Sequence, residues 1–230
     1  MKTKKTIVMA GLLGLGVLLT GCGVAGAEER DTASYEVTDK VAGVKIEGDS
    51  GAIVVTESDR QGIHVTETLT WRKNKPKPTH VVQGDTLVLT FTCPPSVGLA
   101  SCDVGYEVEV PRGLRIRAGS DSGEVTLRAL SGEVEAESDS GRIEARDLTA
   151  KRVTAESDSG DLTLVFAGQP DRVKTRTDSG QTEVRVPQGP YNITTETDSG
   201  SKKIGAKADA SASRVIDMSS DSGDLEVTAS

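Results

Sequence analysis

The chain has 230 residues, of which 35% are hydrophobic and only 3% aromatic, while 27% are charged and 25 are glycine. Such a supply excludes a thick core and most helical folds, and leaves either disorder or a thin β architecture that stacks small and branched residues in layers. The formal charge of −8 argues against nucleic acid and anionic membrane surfaces as partners.

Residues 1–21 read as an export signal. Lys2, Lys4 and Lys5 make a positive start, and the apolar run from Ile7 to Leu19 is too short and too glycine-rich to span a membrane comfortably. It closes on Leu19-Thr20-Gly21-Cys22, which resembles the bacterial lipobox. That resemblance implies cleavage before Cys22 and diacylation of its sulfur. Two or more acyl chains anchor a protein stably, so the expected product is exported and lipid-anchored, facing outside the cytoplasm. Without the three lysines, 24 basic side chains stand against 35 acids, a balance of −11 for the mature body. Residues 22–34, small and charged, read as a tether.

Residues 35–111 form an irregular N-terminal β region. Val44, Ile46, Ile53 and Val55 flank an Asp-Ser-Gly at Asp49 and look like the start of the architecture that follows. Asn74-Lys75-Pro76-Lys77-Pro78 is a loop, Gly84-Asp85 a turn before Leu87-Val88-Leu89, and the stretch from Tyr106 to Val110 a strand ended by Pro111. With Cys22 set aside, only Cys93 and Cys102 remain, and in an exported chain they are expected to pair. Closing that loop stabilises the fold by about 2.5 to 3 kcal/mol in the chain-entropy account. Two isolated cysteines lack the partners a zinc site needs.

Residues 112–230 are organised by a repeat. Asp-Ser-Gly recurs at Asp121, Asp139, Asp158, Asp178, Asp198 and Asp221, the near-constant step of stacked structural units. Before each Asp, alternate positions form columns. Ile116, Val134, Val153, Val173, Ile193 and Ile216 make the first, then Ala118, Ala136, Ala155, Thr175, Thr195 and Met218, then Ser120, Ser138, Ser157, Thr177, Thr197 and Ser220. Period-two alternation means a strand with one buried face, and the hydroxyl column is expected to form a hydrogen-bonded ladder. After the turn a second strand follows, with Val125, Ile143 and Leu162 inward, then Leu127, Ala145, Leu164, Val184, Ile204 and Val227. The first of these columns fails at Thr182 and Lys202; at Lys202 a bulge, a slipped register or a frayed rung is expected, because a lone ammonium is not buried. The expected fold is all-β, a right-handed β-solenoid with two short strands per rung of about 18–20 residues.

The strand Val108-Glu109-Val110-Pro111-Arg112-Gly113, followed by Ser-Gly turns that each open a short alternating strand, resembles the bacterial putative-adhesin domains built from β-strand repeats. The resemblance covers most of the mature chain. It implies a β-solenoid or β-helix-like fold on exported or membrane-attached proteins, with no enzyme activity and no defined site.

The Asp-Ser-Gly column is the one constellation that could carry chemistry. As structure, Asp closes an Asx turn, Ser bonds nearby backbone, and Gly supplies the positive φ of a tight turn. As function, a line of carboxylates at rung spacing could hold calcium, but each turn offers one carboxylate and the structural reading is favoured. No other cofactor or metal is implied. His64 and His80 lie outside the repeats with no nucleophile beside them. A glycan platform would have to come from Trp71, Tyr106 or Tyr191, for which a core role is favoured. The reading that results is a non-catalytic surface lipoprotein, an adhesin or envelope interaction module. Its partners are the membrane, through the lipid, and a protein or glycan at the cell surface. The alternatives are an envelope structural or stress-associated protein without an external ligand, and a polysaccharide-active β-helix enzyme.

Overall fold

The computed structural model describes residues 27–96 and 100–230, and every element among them is a strand. The N-terminal part supplies β1 (Glu29–Val37), β2 (Gly43–Gly48), β3 (Ile53–Ser58), β4 (Ile63–Trp71), β5 (Lys77–Gln83), β6 (Thr86–Thr92) and β7 (Cys102–Pro111). The repeats supply β8 (Arg115–Ser120), β9 (Val125–Arg128), β10 (Val134–Ser138), β11 (Ile143–Leu148), β12 (Arg152–Ser157) and β13 (Leu162–Phe166). They continue with β14 (Arg172–Ser179), β15 (Thr182–Val186), β16 (Asn192–Thr197), β17 (Lys202–Ile204), β18 (Val215–Ser222) and β19 (Leu225–Ala229).

Two sheets face each other. One runs β1-β4-β7-β3-β9-β11-β13-β15-β19-β17 and the other β16-β18-β14-β12-β10-β8-β2-β6-β5. Each rung puts one strand in each sheet, and rungs pair parallel and in register. Val44 lies beside Ile116, Ile116 beside Val134, then Val153, Val173, Ile216 and Ile193. Identical columns stack because any one-residue slip would turn the whole apolar set to solvent. The core is continuous from Val37 to Val227, and it crosses residue 112 without a break because β8 stacks directly on β2. This is a two-sheet β-solenoid.

The order of rungs departs from the order of the chain. The last rung, β18 and β19, is inserted between β14/β15 and β16/β17, so the rung of Asp198 ends the stack. The first Asp-Ser-Gly rung, β2/β3, sits next to that of Asp121, and β6/β7 adds one more rung beyond it. Lys202 therefore causes no bulge and no slip; it keeps register with Leu225 and is exposed because nothing stacks on its other side. Thr182 is buried in register between Leu162 and Leu225.

Antiparallel strands finish the opposite end: β4 and β1 extend one sheet beyond β7, and β5 extends the other beyond β6. β1 begins at Glu29, within the stretch 22–34 expected as tether, because it gains a full antiparallel ladder with β4. Cys93 and Cys102 are joined, Cα to Cα 5.9 Å, between β6 and β7. Their link occupies the place that an Asp-Ser-Gly turn holds on the neighbouring rung, where Ser50 N–H reaches Asp103 Oδ1 at 3.3 Å.

Candidate functional site

The tripeptide turns form one edge of the stack, and their geometry is a backbone ladder. Ser122 N–H donates to Asp49 O at 2.8 Å, Ser140 N–H to Asp121 O at 2.9 Å, Ser159 N–H to Asp139 O at 2.8 Å and Ser179 N–H to Asp158 O at 2.8 Å. Ser199 N–H donates to Asp221 O at 2.9 Å, which carries the same ladder across the inserted rung. Three of the turns are closed by the hydroxyl before the Asp. Ser120 Oγ accepts from Gly123 N–H at 2.9 Å, and Ser138 and Ser157 accept from Gly141 and Gly160 at 2.8 Å each. In place of the expected hydroxyl ladder, Ser120, Ser138, Ser157 and Thr197 bond backbone, including Ser120 Oγ donating to Asp49 O at 2.9 Å. On two rungs the strand runs on through the turn, to Ser179 and to Ser222. There the buried hydroxyls of Thr177 and Ser220 have no partner among the described residues.

The glycines are required for a different reason from the one expected. Positive φ occurs at Gly180, where φ is 147°, but not at Gly123, Gly141, Gly160, Gly200 or Gly223. What those positions share is contact: a Cβ on Gly141 would lie 2.1 Å from Gly123 O, and one on Gly160 2.0 Å from Gly141 O. The stacked carbonyl of the next rung fills the space that a side chain would need.

The aspartates project outward. Asp121, Asp139, Asp158, Asp198 and Asp221 are exposed, and Asp178 takes an Arg176 guanidinium at 3.2 Å. With Glu137 and Glu156, the carboxylates of Asp139, Asp158 and Asp178 line a shallow groove around Arg176. Among the described residues no three His, Cys, Asp or Glu side chains are placed to hold a metal ion. On two of these rungs a second carboxylate accompanies the tripeptide Asp, Glu137 beside Asp139 and Glu156 beside Asp158.

The other candidates divide between core and surface. Trp71, Tyr106 and Tyr191 are all buried, so none offers a face to a sugar. Lys75 Nζ lies 5.1 Å above the Trp71 ring, and Tyr191 donates to Pro187 O at 2.8 Å. His64 contacts Glu36 Oε1 at 2.9 Å on the outer face, beside the Arg60 guanidinium that bridges Glu36 at 2.5 Å and Glu109 at 2.6 Å. His80 stacks on Tyr35, centroid to centroid 4.4 Å, where the two outermost strands meet.

Beneath that contact is a buried carboxyl that belongs to no motif of the sequence. Glu67, 3% exposed, accepts from Tyr35 OH at 2.7 Å and stands opposite Tyr106 across the β4–β7 ladder. Tyr106 OH is buried without a partner among the described residues. Burial pushes the Glu67 carboxyl above its usual value, partly offset by the Tyr35 hydrogen bond. Burial together with the Glu67 charge pushes both tyrosines up, and burial lowers His80. A signal for Glu67 was present: it breaks the apolar alternation Ile63, Val65, Leu69, Trp71.

Cys22 and residues 1–21 lie outside the described residues. Among the described residues no helix is long and apolar enough to cross a membrane.

Parallel in-register rungs, a turn edge held by backbone carbonyls and charged outer faces define a β-solenoid of the repeat class. The chain belongs to the Toastrack DUF4097 family, which matches residues 112–228. No curated protein matches it. Among solved structures it is similar to a "putative cell adhesion protein" from Clostridium sporogenes, at 11% identity and TM-score 0.52, over 88% of this chain and 100% of that one. It is also similar to a "putative adhesin" from Bacteroides fragilis, at 14% identity and TM-score 0.51, over 90% and 100% of the two chains. At these identities the likeness is one of fold.

Proposed function

We propose that the chain is a non-catalytic, lipid-anchored envelope protein that displays a rigid acidic β-solenoid outside the cytoplasmic membrane, as an adhesin-like module for a protein partner. The observation that carries this reading is the way the chain enters the fold. β1 starts at Glu29, so only a short stretch separates the lipobox cysteine, Cys22, from a folded body. Six extended residues reach at most about 20 Å, which would hold the β1 end of the stack close to the membrane. A protein partner fits better than a glycan because Trp71, Tyr106 and Tyr191 are enclosed, whereas the outer faces carry rows of paired charges such as Arg117 with Glu135 and Lys174 with Glu156. The similarity in fold to proteins described as adhesins supports the same reading.

The test is fractionation and capture with the full chain. The parent should partition with membranes and Cys22→Ala should be released in soluble, folded form. A Cys22→Ala variant that stays membrane-bound would remove the anchor from the reading. Specific capture of an envelope protein by the immobilised variant is the expected second result; recovery of glycan alone, or of nothing, would overturn the protein-partner assignment.

A further inference from the structure

One end of the stack is open. β16 and β17 each have a single strand neighbour, β18 and β19, and the segment after β17 covers the outer edge at Tyr191, just before β16, where Tyr191 N–H donates to Lys207 O and Asp209 N–H to Tyr191 O. Asn192 N–H donates to Arg214 O and Gly205 N–H to Val227 O, so these residues turn their backbone groups toward the stack. Alternation then turns the N–H and C=O groups of Ile193, Thr195 and Thr197 on β16, and of Lys202 and Ile204 on β17, toward the free edge. Ile204 is 44% exposed although its column mates Val227, Val184 and Leu164 are at most 1% exposed. An edge of this kind is a template for another strand, and natural chains blunt it with short strands and inward-pointing charges.

Both devices are present. β17 is three residues long, and Lys202 stands in the inward column that holds Val125, Ile143, Leu162 and Leu225 on other rungs. Its Nζ donates to Thr195 O at 3.3 Å, covering an acceptor that an incoming strand would use. We propose that this end is a self-association surface for a second copy of the chain, and that Lys202 holds it shut.

Strand direction and charge decide how a second copy would dock. β16 runs toward the Asp198 turn and β17 away from it. A copy rotated by half a turn about the strand direction lays its β17 antiparallel on β16, with the outward Glu196 beside the outward lysine of the second copy's β17. The other two-fold, which pairs β17 with β17, sets Lys203 against its own counterpart. Lys202 makes either arrangement costly, because docking would enclose its ammonium between two rungs without a carboxylate. At the opposite end Tyr35 and His80 close the interior and the outermost strands are antiparallel, β5 carrying Pro78. That end cannot receive β16 and β17 in the same way, so the association stops at a closed pair.

The experiment is sedimentation of the full chain carrying Cys22→Ala, so that no lipid drives association, with and without Lys202→Ile. The parent should sediment as a monomer and Lys202→Ile should double the mass at the same concentration. Adding Thr195→Pro should return it to a monomer, since a proline there removes only an N–H at the free edge. Lys202→Gln, which keeps the side chain polar, provides a second variant and should dimerise only at higher concentration. A parent that is already dimeric, Lys202→Ile and Lys202→Gln chains that both stay monomeric, or open-ended assemblies would each overturn the proposal.

Discussion

The two ends of the stack meet the same difficulty, a sheet edge with nothing beyond it, by opposite means. At the β1/β5 end the chain adds antiparallel strands, closes the interior with the Tyr35–His80 contact and accepts a buried carboxyl at Glu67 as part of that closure. At the β16/β17 end it adds no further strand, only the segment after β17 that pairs with Tyr191. It places its most polar rung outermost and moves the more apolar one, with Ile216, Met218, Leu225 and Val227 all at 1% exposure or less, into the interior. A solenoid can thus be ended either by a built cap or by leaving its most polar repeat outside, consistent with the polar outer face that terminal repeats need.

The comparison breaks most readily in the core. Leu164→Ala in mid-stack should cost about 3 kcal/mol, the usual range for an enclosed leucine. Ile204→Ala, in the same column at the open end, should cost less than about 0.5 kcal/mol, because little is buried there to lose. Urea titration of both variants checks this; equal losses would mean that the end rung is as well packed as the interior.

The next effect belongs to the built end. Replacing Cys93 and Cys102 together by serine should lower stability by about 2.5 to 3 kcal/mol if the loop acts through chain entropy. Protection from hydrogen exchange should fall first in β6 and β7 and leave β16 to β19 unchanged.

The turn glycines give a somewhat smaller contrast. Gly141→Ala forces a Cβ against Gly123 O and should cost about 2 kcal/mol. Gly200→Ala meets Gly223 O at 2.2 Å but lies on the end rung, which is free to shift. Thermal unfolding should therefore fall clearly further for Gly141→Ala.

The smallest effect is a pair of slopes at the built end. The raised Glu67 carboxyl contributes stability that is present below the unfolded carboxylate value and declines as pH rises to the folded one. The lowered His80 acts the other way: its contribution is present above the unfolded imidazole value and is lost as pH falls through the folded one. Stability measured across the weakly acidic range should rise with pH in Glu67→Gln and fall with pH in His80→Gln. Slopes of the same sign in the two variants would show that these groups do not govern the cap.

Much of this was legible in the residues. The columns of Val, Ala and Ser before each Asp, and of Leu and Val after each turn, have their observed register because the side-chain period of a strand admits one alignment that keeps every apolar residue inside. The turn glycines were legible as turn residues but not in their reason. Their need for a missing Cβ comes from a carbonyl in the neighbouring rung, which local sequence does not contain. Glu67 was visible as a break in alternation, yet its Tyr35 partner lies on a strand distant in sequence and is brought to it by the β1–β4 ladder.

The sequence by itself determined the repeat unit, the inward columns, the parallel register and the acidity of the body. Only the tertiary structure decided which rung lies beside which. Every rung presents nearly the same column to either neighbour, so the period leaves the order of the last two open. Burial settles it, because placing Leu225 inside and Lys202 at the end removes more apolar surface from water and leaves the ammonium solvated.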